Sequence, residues 1–289
     1  MFGFLNIYKP KGLTSHDVVA KLRKILKIKQ IGHTGTLDPL AEGVLPIAVG
    51  KASRLIEYLQ DDKSYRVTFE FGKISDTFDT EGNIEFFSDK KVTQEELVNI
   101  LQDFNGEIEQ TPPAFSAVHY NGKRLYELAR QGIIPDDIPK RKIFIEKISL
   151  ISFDYNLQQA VLDIDCSKGT YIRSIVSDIG FKLHAGAIMI ALVRTKSGSF
   201  VLDDAIYLEQ IEDALSVEQY LKNPVSVLPF KSYVINDEQY QKVIYGQKIP
   251  VREFEVYEYL NLIFNDKLCA IAQKSDDCYL TLKKVFPLW

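Results

Sequence analysis

The chain has 289 residues, of which 46% are hydrophobic and 26% charged, and its formal net charge is −4. This length fits one large domain, or a large domain with a small one, and the composition excludes disordered, collagen-like and coiled-coil chains. No apolar run approaches the roughly 18–20 residues that a membrane span needs. The three cysteines form no C-x-x-C pair, and the first residues do not resemble a signal peptide, so we expect a protein of the reducing cytoplasm.

The first predicted element is a helix that Thr14 or Ser15 can cap and that extends to about Lys29, because its apolar residues recur at i, i+3 and i+4. Residues 32–46 contain three glycines and two prolines, which predicts a loop. Alternating, capping and turn patterns then predict the following elements: strands at 47–49, 65–71, 143–153, 159–166 and 189–195; helices at 53–59, 93–104 and 170–183; a hairpin turn at Asn121-Gly122, with a short helix to Arg130.

The last third of the chain changes in pattern. The acidic residues 203–218 are interpreted as a helix, and Pro224 and Pro229 as a linker. A short helix at 237–244 and strands at 254–259, 262–264, 268–272 and 279–282 predict a small β-rich domain. Because strands and helices alternate irregularly and hairpins occur among them, the expected class is α+β, with a large domain at 1–230 and a small one at 231–289.

Charge is segregated along the chain. Seven basic residues and one acid lie at 9–29, six basic residues and three acids at 123–142, and six acids without a base at 203–218. Such a chain can bind a polyanion on one face despite its negative total charge. Ordinary solvated helix faces are the alternative interpretation.

The loop at 32–46 is the best candidate for chemistry. It lacks the order of a phosphate-binding loop, and the four histidines form no H-x-x-x-H pair, so neither a nucleotide site nor a histidine metal site is expected. Asp38 lies inside the loop directly before Pro39. An aspartate before proline commonly forms a turn, which is the alternative to a catalytic role.

Four segments, in the same order, resemble motifs of the TruB family of tRNA pseudouridine-55 synthases. They are K-P-K-G-L-T-S at 9–15, G-H-T-G-T-L-D-P-L-A-E-G-V-L-P at 32–46, K-S-Y at 63–65 and G-T-Y-I-R-S at 169–174. The resemblance covers nearly the whole chain. It implies a pseudouridine synthase domain built on a mixed, largely antiparallel sheet with flanking helices, and a small PUA-like RNA-binding domain at the C-terminus.

The resemblance also implies an activity and a site. Family members isomerise one uridine of the TΨC loop of tRNA without cofactor or metal, after the base has left its stack. Asp38 would be the essential carboxylate, Arg173 the arginine that pairs with it and Tyr65 the aromatic platform for the base.

Further residues are expected at the RNA by the same resemblance: His33, Lys9, Lys11, Tyr171 and Leu192. The D-T-x-D-x-x-G element ending at Gly82 includes Asp79, for which turn formation is the simplest role. Ile188 and Val193 depart from the family pattern G-A-H-L-x-x-L-R-R-T.

The expected protein is a monomer that acts on the T-arm of tRNA with no obligatory protein partner. Two other functions stay open at this stage. A non-catalytic RNA-binding or tRNA-folding protein would have no use for Asp38, Tyr65 and Arg173 together. A nucleotide hydrolase would require a different order of residues in the glycine-rich loop.

Overall fold

The computed structural model describes residues 1–288. Within them the α-helices are α1 Ser15–Leu26, α2 Gln94–Leu101, α3 Leu125–Ala129, α4 Ile172–Lys182, α5 Ala214–Glu218, α6 Pro224–Val227 and α7 Asp237–Ile244. The strands are β1 Gly3–Lys9, β2 Ile31–His33, β3 Glu42–Val49, β4 Lys63–Phe71, β5 Lys73–Ser75, β6 Ile84–Phe86, β7 Gly106–Gln110, β8 His119–Tyr120, β9 Lys123–Arg124, β10 Arg141–Asp154, β11 Gln159–Cys166, β12 Ala187–Ser197, β13 Phe200–Val201, β14 Ile206–Tyr207, β15 Lys231–Val234, β16 Ile249–Pro250, β17 Tyr259–Phe264, β18 Lys267–Lys274 and β19 Tyr279–Val285.

A mixed sheet in the order β14-β1-β3-β12-β4-β11-β10-β7 forms the centre of the molecule, with β2 paired to β3 and β13 to β12. The β1–β14 and β3–β12 pairs are parallel, and the other pairs of this sheet are antiparallel. Helices α1, α2 and α4 pack their apolar faces against it. The predicted α+β class is confirmed. Among the described helices, none has the length and apolar character that crossing a membrane would require.

Helix α1 begins where the sequence predicts. Thr14 accepts a hydrogen bond from the backbone of Asp17, whose carboxylate bonds back to Thr14, and Leu22 lies on the buried face. The helix ends at Leu26 because Lys27 adopts a left-handed conformation with φ +54°, so the predicted extension to Lys29 is too long.

The prediction of a loop throughout residues 32–46 is wrong at both ends, because β2 and β3 enter it. Pro46 is accommodated in β3, and its carbonyl accepts a hydrogen bond from the backbone of Thr34. Gly43 has φ +101°, and a Cβ there would lie 2.4 Å from the carbonyl oxygen of Arg194. The glycine is thus what lets β3 run against β12.

Three predictions in the last third are also wrong. The acidic segment forms short 3₁₀ turns, the strand β14 and helix α5 rather than one helix, because Ile206 pairs with Ile7 of the sheet. Residues 224–228 are packed rather than an exposed linker, since Val227 and Leu228 are buried. Of the strand predicted at 254–259 only Tyr259 is extended, as the first residue of β17, because Phe254 and Tyr257 both have positive φ.

A second sheet, in the order β15-β17-β18-β19-β16, lies in the C-terminal part. It encloses an apolar core that includes Leu260, Leu262 and Leu280. Another apolar cluster contains residues of both sheets, among them Phe4 of β1 and Ile271 of β18, together with Phe286, which follows β19. The two sheets are therefore joined by packed side chains as well as by the chain.

Candidate active site

The loop between β2 and β3 carries Asp38 and is held by the segment that precedes and opens α1. The Ser15 hydroxyl accepts a hydrogen bond from the Leu37 amide (2.8 Å) and donates one to the Leu37 carbonyl (3.1 Å). The Pro39 carbonyl accepts hydrogen bonds from the Gly12 amide at 2.8 Å and from Lys9 Nζ at 3.4 Å. The motif at 9–15 and the motif at 32–46 thus form one structural unit, with Asp38 between two fixed neighbours.

Arg173 lies in the first turn of α4 and faces Asp38. Its Nε is 2.9 Å from Asp38 Oδ2, while its Nη1 and Nη2 donate to the carbonyls of Thr77 and Phe115 at 2.9 and 3.1 Å. The Arg173 side chain is 7% exposed and that of Asp38 is 36% exposed. The guanidinium is therefore held by backbone carbonyls of the protein interior, and the carboxylate that it orients remains accessible to a ligand.

Asp79 is a buried member of this site, for which the sequence suggested only a role in a turn. Its Oδ2 is 3.6 Å from Arg173 Nε, and its Oδ1 accepts hydrogen bonds from Thr77 Oγ1 (2.6 Å) and from the Glu81 amide (2.9 Å). The expected turn is present, yet the same carboxylate also faces the guanidinium. Burial, with a smaller effect of Asp79 and Asp38, raises the pKa of Glu81.

Tyr65 lies on β4 between Ile164 of β11 and Arg194 of β12 and is 7% exposed. Burial raises the pKa of its hydroxyl, against a smaller opposing effect of the Arg194 charge. Leu192 is buried opposite Val67 on the same strand pair.

The remaining predicted residues have different surroundings. His33 ends β2, and its Nδ1 is buried without a partner among residues 1–288. Burial and the charge of Arg194 lower its pKa, which favours the neutral ring at pH 7. Tyr171 precedes α4, and both its amide and its carbonyl hydrogen-bond the side chain of Gln110. Lys11 is exposed.

Lys9 is fully buried, contrary to the expectation of a lysine in the cleft. Its Nζ donates to the carbonyls of Leu13 (2.6 Å), Pro10 (3.0 Å) and Pro39 (3.4 Å). The ammonium therefore faces the backbone of the loop rather than a phosphate in solvent. Burial lowers the pKa of Lys9 to about 8, more strongly than the nearby Asp38 and Glu42 raise it.

The two departures from the family pattern lie apart from the Asp38–Arg173 pair. Ile188 is buried and pairs with Glu70, and Val193 pairs with Arg66 and Glu42. Within residues 1–288, no group of three or more His, Cys, Asp or Glu side chains is arranged to hold a metal ion.

Comparisons with known proteins agree with these motifs. Residues 23–172 match the model of the TruB family pseudouridylate synthase (N terminal domain), and residues 173–234 match that of the tRNA pseudouridylate synthase B C-terminal domain. The chain is 42% identical over 294 residues to tRNA pseudouridine synthase B of Heliobacterium mobile, covering 99% of this chain and 95% of the relative. It is 38% identical to the protein of that name from Clostridium tetani, covering 98% and 99% of the two chains.

Solved structures show the same fold. A chain in the "Structure of H/ACA RNP bound to a substrate RNA containing 2'-deoxyuridine" superposes with a TM-score of 0.71 at 23% identity. The match covers 99% of this chain and 86% of the other.

Proposed function

The chain belongs to the TruB family of pseudouridylate synthases, and from this premise we propose that it converts uridine 55, in the TΨC loop of tRNA, into pseudouridine, with Asp38 as the essential carboxylate. The observation that carries the proposal is the pair of Asp38 and Arg173. A partly open carboxylate 2.9 Å from a buried guanidinium is a group held ready for a ligand, whereas a turn-forming aspartate needs no such partner.

The reaction is an isomerisation that needs no net oxidation. The bond between N1 of uracil and C1′ of the ribose breaks, the uracil turns, and C5 bonds to C1′; C5 loses its proton, and N1 finally carries one. A carboxylate can serve as a nucleophile in this sequence or stabilise a cationic sugar. Both roles need Asp38 at a fixed position, which the Ser15–Leu37 and Arg173 contacts support.

The other side chains of the site suit a base taken out of its stack. Tyr65 would provide the stacking surface, and such stacking is worth on the order of 1–3 kcal/mol per base. Leu192 would pack beneath the base. Neutral His33, with its unpartnered Nδ1, and half-buried Tyr171 would contact the opened RNA loop.

The basic segments at 9–29 and 123–142 would form the tRNA face, with Lys11 as an exposed contributor and buried Lys9 supporting the loop from inside. We propose further that residues 1–230 form the catalytic domain and that residues 231–289 form a PUA-like domain that binds RNA away from the chemistry. Reversing the exposed charges of the basic segments should weaken tRNA binding and flatten its salt dependence, by a slope of about 0.7–0.9 per lost phosphate contact. Unchanged binding would contradict the assigned face.

The decisive experiment measures tritium release from tRNA transcripts labelled at uridine C5, because pseudouridine formation replaces the hydrogen there. Purified wild-type protein, without metal, nucleotide or another protein, should release the label of one uridine per tRNA. Asp38→Asn should release none while still binding tRNA, and a transcript with a changed T-loop target should be inert. We further propose that the protein acts as a monomer in the cytoplasm without an obligatory partner, and activity of the purified protein alone tests the last part of this proposal.

The outcomes separate the possible functions. No release from folded wild-type protein that binds tRNA would favour a non-catalytic RNA-binding protein. Equal release from wild type and Asp38→Asn would support the proposed reaction but contradict the assignment of Asp38 as its essential carboxylate. Release from a different uridine would support pseudouridine formation but contradict uridine 55 as the target.

A further inference from the structure

Arg194 is a buried cation for which the proposed reaction has no direct use. The residue is 0% exposed and lies on β12. Its Nε donates to the Val44 carbonyl at 2.7 Å, its Nη2 to the Gly35 carbonyl at 3.1 Å and its Nη1 to the Thr36 carbonyl at 3.4 Å. Within residues 1–288 no carboxylate forms an ion pair with it.

Burying a charge without a counter-ion costs folding free energy, so the hydrogen bonds of Arg194 must offset that cost. Guanidinium stays charged in proteins and presents five N–H donors in a rigid planar fork. An apolar side chain would fill the same space without the cost of desolvating a charge. The fork instead satisfies backbone carbonyls, and two of them belong to Gly35 and Thr36, the third and second residues before Asp38.

The same guanidinium reaches the second component of the site. Arg194 and Tyr65 are directly paired in the β12–β4 register, which places their side chains on the same face of the sheet, and the positive charge of the guanidinium acts on the Tyr65 hydroxyl. A single rigid group thus holds the loop that carries the carboxylate and lies beside the tyrosine that would hold the base. Arg173 orients the carboxylate itself, whereas Arg194 acts on the backbone that precedes it.

We propose that Arg194 is a positioning residue that fixes the distance between the Asp38 loop and the Tyr65 ring. The inference rests on the proposed function, because it concerns the geometry of that same site. A positive charge alone would not position the loop, because Lys63 already lies beside Gly35. Its Cε is 3.5 Å from the position that a Cβ on Gly35 would occupy. The planar fork with several donors is what a lysine lacks.

The test is a set of single-turnover measurements with enzyme in excess over C5-tritiated tRNA. We expect Arg194→Lys to lower the rate constant of release about 10²-fold, since a misplacement of about 1 Å costs that much. The amplitude of release and the tRNA dissociation constant should stay within about threefold of wild type. Arg66→Met is the matched control, because Arg66 adjoins Tyr65 on β4 but pairs its exposed guanidinium with Asp163.

A purely structural role would give a different pattern. It would lower the amplitude, through loss of folded enzyme, and leave the rate constant of the remaining enzyme unchanged, which would overturn the proposal. Tyr65→Phe offers a second test that keeps both the ring and Arg194. We expect it to lower the rate about tenfold and to be non-additive with Arg194→Lys, as expected for neighbouring groups that interact. A full rate in Tyr65→Phe, or strict additivity, would contradict the coupling between the Arg194 charge and the Tyr65 hydroxyl. An inactive wild type would instead refute the proposed function.

Discussion

The Asp38 loop and the C-terminal sheet are stabilised in different ways. Hydrogen bonds from Lys9, Ser15 and Arg194 hold the backbone of the loop at Pro39, Leu37 and Gly35. The C-terminal sheet encloses an apolar core around Leu260 and Leu262, and an apolar cluster joins it to the main sheet.

This difference has a functional meaning. Hydrogen bonds are directional and fix atoms in place, whereas apolar burial is nearly non-directional and supplies most of the folding free energy. Polar groups around the loop should therefore affect the rate of the reaction more than the stability. Apolar residues of the C-terminal sheet should affect stability, with little effect on the rate once tRNA is bound.

The largest expected effect is that of Arg173→Met. It leaves Asp38 and buried Asp79 without their shared cation, so both the orientation of the carboxylate and the electrostatics of the site are lost. We expect the single-turnover rate constant to fall about 10³-fold, equivalent to about 4 kcal/mol in the barrier, with tRNA affinity changed only severalfold. Lys182→Met, which removes an exposed cation from the same helix, is the control. A rate within tenfold of wild type would show that the polar contacts of the loop do not determine activity.

Leu262→Ala tests the other region. Leu262 is fully buried in the core of the C-terminal sheet, and truncation of such a leucine costs about 2–5 kcal/mol of unfolding free energy. Urea denaturation should show this loss, while the rate constant at saturating enzyme should equal that of wild type. The control is Leu215→Ala, since Leu215 is 78% exposed. A reduced rate constant at saturation would mean that the C-terminal sheet also positions the reacting groups.

The sequence was most informative where structure depends on neighbours along the chain. The Thr14 cap, the Thr93–Glu96 capping box and the Asn121-Gly122 turn are all present, and the turn has the two positive φ angles that its residues favour. Local bonding and backbone freedom determine such features. The motif resemblance likewise directed attention to Asp38 and Arg173, which lie far apart in the chain and which the fold brings into contact.

Contacts between distant segments could not be inferred in this way. Arg194 and Gly35 are separated by 159 positions, and Asp79 reaches Arg173 because Asp79 bridges Met189 of β12, the strand on which α4 packs. Lys9 was expected at the RNA from the family resemblance, and only the fold shows that three carbonyls surround its ammonium group. The helix predicted in the acidic segment failed for a related reason, since pairing of Ile206 with Ile7 outweighed local preference.

The pH dependence of stability provides the last test of the comparison, at Lys9. Burial lowers the pKa of this lysine from 10.5 to about 8 in the folded protein. Between about pH 8 and 10.5 the unfolded chain therefore binds more protons than the native state, and the unfolding free energy rises with pH. Below pH 8 both states carry the proton, so the full cost of burying the charge is present.

Lys9→Met removes this titration but also leaves the Pro10, Leu13 and Pro39 carbonyls without their donor, a penalty that does not vary with pH. The unfolding free energy of wild type minus that of the variant should be flat below pH 8 and rise by at most about 3 kcal/mol up to pH 10.5. Denaturant titrations at several pH values measure it, with Lys11→Met as the control for loss of a lysine from this segment. A difference that stays flat throughout would show that Lys9 is solvated in the folded protein and does not hold the Asp38 loop from inside.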